Sequence, residues 1–98
     1  MRIIALRTLR DHWQAPGRID RQEPLSAWFR LVSAVRWNGP ADVTDTYRNA
    51  SFVGDRLVFN IAGNKYRLVV FINYPFHTVY ARFVGTHAEY DRVDVETI

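Results

Sequence analysis

Residues 57–84 read LVFNIAGNKYRLVVFINYPFHTVYARFV, and the period of this stretch decides the fold. Three runs, Leu57 to Ile61, Tyr66 to Asn73 and Thr78 to Val84, are rich in β-branched and aromatic residues, which suit a pleated, half-buried surface. Ala62-Gly63-Asn64-Lys65 and Tyr74-Pro75-Phe76-His77 separate them, and both have the composition of turns. The stretch is expected to form an antiparallel meander of three strands.

Upstream the period is helical. Met1 to Leu6 reads as a short opening strand, and Leu6, Leu9 and Trp13 follow helical spacing until Pro16-Gly17 stops them. A second helix has Pro24 in its first turn, with Leu25, Trp28, Phe29, Val32 and Val35 forming an apolar stripe. Asn38-Gly39-Pro40 ends it, and a short helix or turn follows around Ala41 to Tyr47. After the meander, Thr86-His87-Ala88-Glu89 has the spacing of a capping box and starts a last short helix. Helices first and strands afterwards give an α+β fold, with the N-terminal helices packed on one face of a small antiparallel sheet.

With 98 residues and an apolar fraction of 48%, the chain suits one domain, residues 1–98, with a single core. There is no cysteine, which excludes disulfides and thiolate metal sites. The start of the chain lacks the apolar run of a signal peptide, and no stretch is long enough to span a bilayer. The protein is expected to be soluble and cytoplasmic, with no membrane contact.

Net charge is +3. Lys65 is the lone lysine among the 13 cations, and arginine's planar fork suits a two-point grip on phosphate. From Arg56 through Ala88 no acid occurs, while Arg56, Lys65, Arg67 and Arg82 all fall there. Such a segment points to a polyanionic ligand.

The register of the meander says which face carries these cations. An even-numbered loop at Pro75-Phe76 pairs Phe71 with Tyr80 and Val69 with Arg82. The same rule at Gly63-Asn64 pairs Asn60 with Arg67 and Val58 with Val69. One face then holds Leu57, Phe59, Ile61, Tyr66, Leu68, Val70, Ile72, Val79, Ala81 and Phe83, and must meet the helices. The other, uncovered, holds Val58, Asn60, Arg67, Val69, Phe71, Asn73, Thr78, Tyr80, Arg82 and Val84, with Lys65 at its rim. His87 opens the closing helix, and Tyr90 and Asp91 share its helical face. An odd loop with a bulge would break this register.

These residue types fit metal-free RNA cleavage. Arginines aimed at the scissile phosphate stabilise the charge of the transition state, a histidine or tyrosine moves protons, and Tyr80 or Phe71 can stack unpaired bases. His12, His77 and His87 are scattered, with no carboxylates at ligand spacing, so neither metal nor other cofactor is expected. Each residue also has a plainer reading on pattern alone. Arg67 and Arg82 fit a solvated sheet face, His87 a helix start, Tyr90 packing, and Asn60 and Asn64 turns or ladders. His77 reads as exposed and inert, and His12 with the three tryptophans as helix and core residues.

Two stretches resemble a known family. Val58-Phe59-Asn60-Ile61-Ala62-Gly63-Asn64-Lys65-Tyr66-Arg67-Leu68-Val69 is similar to the central signature of the HigB toxins. Arg82-Phe83-Val84-Gly85-Thr86-His87-Ala88-Glu89-Tyr90-Asp91 is similar to a second. Met1-Arg2-Ile3-Ile4-Ala5 and Leu25-Ser26-Ala27-Trp28 agree with the same family. The resemblance implies a RelE-like fold and the toxin of a type II toxin–antitoxin pair. Its members are mRNA endonucleases that cleave messages on the translating ribosome. They are neutralised by a HigA-type helix-turn-helix antitoxin, and operator DNA is bound only through that complex. The motif positions are Asn64, Lys65, Arg67, Arg82, His87, Tyr90 and Asp91. By resemblance, Arg67 and Arg82 hold the phosphate, His87 or Tyr90 transfers protons, and Lys65 assists or acts as base. Asn60, Asn64, Tyr80 and Asp91 are then the expected RNA contacts. Two other readings are a non-catalytic RNA- or ribosome-binding module and a plain partner protein of a helix-turn-helix repressor.

Overall fold

A computed structural model describes residues 1–4 and 6–98. In chain order the elements are β1 (Arg2–Ile4), α1 (Leu6–Gln14), a 3₁₀ turn (Ile19–Arg21), α2 (Gln22–Ala34), α3 (Pro40–Thr46), β2 (Ser51–Val53), β3 (Arg56–Ile61), β4 (Tyr66–Asn73), β5 (Thr78–Thr86) and α4 (His87–Tyr90). The fold is α+β and consistent with the RelE-like class. The sequence expectation of a strand over residues 1–6 is met over Arg2–Ile4; Ala5 lies outside the described residues.

The meander is present and is wider than three strands. The sheet runs β1-β5-β4-β3-β2. At one edge β1 pairs with β5 in parallel, and at the other β2 pairs antiparallel with β3. Both added strands are three residues long; β1 was expected, whereas β2 is too short for alternation to mark it in the sequence. On the helix side, Leu9 of α1, Leu25, Trp28 and Val32 of α2, and Val43 of α3 are buried against Leu57, Phe59, Ile61, Leu68, Val70 and Val79. Aromatic rings knit the middle of this core, with Trp28 edge-on to Phe59 at 5.5 Å and Trp37 stacked on Phe59 at 6.2 Å.

The register corrects one expectation. Asn60 pairs with Arg67, Val58 with Val69, and Phe71 with Tyr80, as the even loops require. Arg82, however, does not oppose Val69. Val70 pairs with Ala81 and Val69 with Phe83, so Arg82 is an extra residue bulged out of β5. Beyond the bulge the alternation is shifted by one. Val84, expected on the far face, is buried in the core with the helices. Phe83, expected in that core, packs on the far face with Val58 and Val69.

That far face is not uncovered, a second correction. After α4 the chain turns back across it, and Val95 is buried on Val58 and Val69, with Val93, Ile98 and Tyr90 packed around them. The Ile98 carbonyl accepts a hydrogen bond from Arg56 Nε at 2.8 Å. Three rows of the far face bear on the site. Asn60, Arg67 and Gly85 form the first; Val58, Val69 and Phe83, under the tail, form the second; Arg56, Phe71 and Tyr80 form the third, with Asn73 and Thr78 beyond it.

Candidate active site

The first row ends at α4, and there two of the candidate side chains meet. The Arg67 guanidinium lies 2.5 Å from His87 Nε2. Arginine can only donate, so a hydrogen bond between the two has Nε2 as its acceptor. Arg67 is half-buried and His87 exposed, which leaves the pair open to a large ligand. The other amino group of Arg67 leans toward the carbonyls of Tyr66 and Asn64, at 3.4 and 3.5 Å. These long hydrogen bonds, both donated by the one amino group, help to aim the guanidinium.

Local sequence explains how His87 is held. Thr86 is the N-cap of α4: its hydroxyl accepts from the Glu89 N–H, while the Glu89 carboxylate accepts from the Thr86 N–H. This reciprocal pair fixes a helix of only four residues, too short to stand on propensity alone. The same hydrogen bonds hold the Glu89 carboxyl below the usual range. Its second oxygen lies 3.8 Å from Arg18. Arg18 in turn lies 3.3 Å from His12 Nδ1 and Arg21 2.7 Å from His12 Nε2; a neutral imidazole has one acceptor nitrogen, so it accepts from one of the two and is only in contact with the other. Burial, then the two guanidiniums, push His12 down to about 4, so it is a neutral spacer between two cations. Arg21 also covers the Tyr66 ring at 4.4 Å, and the Tyr66 hydroxyl donates to Asp20. A polar strut thus runs from α1 through the 3₁₀ turn to the cap of α4.

The remaining candidates divide. Asn64 and Lys65 are exposed in the β3–β4 loop, two or three residues before Arg67. The loop turns through Ala62 and Gly63, with φ of +56° and +69°, a conformation glycine adopts freely and alanine does not. Asn60 sits opposite Arg67 and lines a cleft with Arg48, Asn49 and Gly63. Tyr90 is half-buried among the valines beneath the tail. Asp91 is exposed, and its N–H donates to the His87 carbonyl at 2.9 Å, closing the helix.

Arg82 and Tyr80 stand elsewhere. The Arg82 guanidinium lies over the Tyr80 ring at 5.4 Å, in the third row. Rows one and three are four residues apart along β4, about 13 Å at the rise of a strand. The expectation that both arginines stand together on one face to hold the phosphate is therefore corrected: Arg67 lies beside the imidazole, and Arg82 lies over Tyr80. His77 also differs from its reading as exposed and inert. It is half-buried, with Nε2 3.0 Å from Asn38 Oδ1. Sequence reasoning missed Arg18, Glu89 and Arg48. Only Glu89 carried a signal, the capping spacing, and it was read for the helix start alone.

Helices on one side of a small sheet, with an arginine–histidine pair at the end of the other, are consistent with a RelE-like domain. The family model HigB_toxin, described as the RelE-like toxic component of a toxin-antitoxin system, matches residues 21–93. The chain belongs to this HigB toxin family, and membership implies an antitoxin partner. No match is found among curated proteins. Among the described residues no helix is long and apolar enough to cross a membrane.

Proposed function

We propose that the protein is an mRNA endonuclease that cuts translated messages on the ribosome and is held inactive by a HigA-type helix-turn-helix antitoxin. On this reading operator DNA is met only through the antitoxin complex, and the toxin acts in the cytoplasm. The observation that carries the reading is the contact of Arg67 with His87 on an exposed rim of the sheet.

The chemistry follows from what that pair offers a phosphodiester. Phosphate oxygens compete for the Arg67 N–H groups and draw them off the imidazole, which frees Nε2 as a base. The ribose 2′-oxygen loses its proton to Nε2 and attacks phosphorus while the bond to the 5′-oxygen breaks. Arg67 meets the charge that builds on the phosphorane. Lys65 and Tyr90 are the groups proposed to return a proton to the departing 5′-oxygen. The products are a 2′,3′-cyclic phosphate and a 5′-hydroxyl, and no step calls for a metal. Asn60, Asn64 and Asp91 flank the pair as RNA contacts.

Induced expression is expected to arrest growth and to create new 5′ ends inside translated messages. Arg67→Ala and His87→Ala should each remove both effects while leaving the fold intact by circular dichroism. A folded Arg67→Ala protein that remains fully toxic would contradict the phosphate role. Salt-sensitive RNA binding with every message intact would favour the non-catalytic module instead.

A further inference from the structure

The third row of the far face takes no part in the chemistry above, yet it is built as one unit across three strands. Arg56 of β3 opposes Phe71 of β4, which opposes Tyr80 of β5. The Arg56 guanidinium lies 5.6 Å from the Phe71 ring centre. The Phe71 and Tyr80 rings are 6.2 Å apart at 38°, and Arg82 lies 5.4 Å over Tyr80. The result is a ladder of cation, ring, ring, cation.

Its two ends differ. Arg56 is already engaged, by the Ile98 carbonyl at 2.8 Å and by Asp55 at 2.6 Å; it braces Phe71. Arg82 is exposed and, among the described residues, has no carboxylate partner. The bulge is the reason it reaches Tyr80. Because Arg82 is the extra residue of β5, it and Phe83 share the one position opposite Val69. Phe83 lies over Gly85 at one end of the face, and Arg82 leans the other way.

We propose that this row is a nucleobase subsite for single-stranded RNA, in which a base stacks on Tyr80 and Phe71 and Arg82 closes over it or grips its phosphate. The proposal rests on the reading that the ligand is RNA. Aromatic faces accept any base, a guanidinium adds both charge and a stacking plane, and the Asp55 carboxylate at the other end of the row is already paired with Arg56. The subsite is far enough from the Arg67–His87 pair that the stacked base belongs to a different nucleotide from the one attacked. It therefore helps set which bond is presented.

The test uses the whole protein and short 2′-O-methyl oligonucleotides, which cannot undergo the proposed cleavage. One set carries all its bases, and a matched set is abasic. Fluorescence anisotropy should show the base-bearing set binding about ten-fold tighter. Tyr80→Leu and Phe71→Leu should bring that ratio close to one, and Arg82→Gln, at an exposed site with no folding risk, should also shrink it. Arg67→Ala should weaken both sets alike and leave the ratio. A Tyr80→Leu ratio equal to that of the native protein overturns the subsite, as does a native protein that binds neither set. If the ratio behaves as stated while the native protein cuts no RNA, the subsite stands and the nuclease reading falls.

Discussion

Gly85 is buried opposite Arg67, and the space above its α-carbon is taken. A Cβ built there would meet Phe83 Cζ at 2.7 Å and Glu89 Cβ at 3.1 Å. Both neighbours matter: Phe83 is part of the packing under the tail, and Glu89 is half of the cap that holds His87. Gly85→Ala forces one of them to move. It is expected to cost about 1–3 kcal/mol, the usual range for overpacking, read as a lower denaturation midpoint. Activity should fall further than that loss of stability explains, because the shifted cap carries the imidazole away from Arg67. Unchanged cleavage in a folded Gly85→Ala protein would mean that the cap does not set the position of His87.

At the scale of elements, what was legible follows the physics of each signal. The meander and the registers next to its turns could be read, because turn chemistry fixes pairing close by. Asn60 opposite Arg67 and Phe71 opposite Tyr80 are such pairs. The bulge at Arg82 could not be read, since β5 carries no glycine or proline there to announce it. One hidden residue was enough to move Phe83 and Val84 to opposite faces and Arg82 to the third row. The amphipathic α2 and the capping box at Thr86 were legible because their residue spacings report geometry directly. The tail did carry a signal, the alternation of Val93 and Val95. It lies outside any predicted strand, and nothing local says which surface it covers. For the site, the register put Arg67 on the face away from the helices and the capping box put His87 at the start of the last helix, and the structure brings the two into contact. It could not supply the strut through Arg18 and His12, whose members are some seventy residues from α4 in the chain.

On the scale of the whole molecule, that strut couples stability to pH. An unfolded chain protonates His12 near 6.5, whereas the fold lowers it to about 4. Between those values the unfolded chain holds the extra proton, so the fold is favoured above pH 6.5 and loses ground as pH falls. For this buried ring the loss amounts to about 3 kcal/mol by pH 4. Asp20, lowered first by its hydrogen bond from Tyr66, and Glu89, lowered by its bonds to Thr86, act in the same direction at still lower pH. Urea denaturation near neutrality and near pH 4 should show this decline in the native chain. In His12→Gln the part of it lying between pH 6.5 and 4 should disappear. An equal slope in both proteins would place the acid sensitivity elsewhere.

The most direct test of the arginine–histidine pair is the end left on RNA. Purified protein, freed of antitoxin and supplied with programmed ribosomes and a chelator, should leave 2′,3′-cyclic phosphates and 5′-hydroxyls within the message, and Arg67→Ala should leave none. Fragments ending instead in a 3′-hydroxyl and a 5′-phosphate, or cutting that survives the loss of Arg67, would contradict the account.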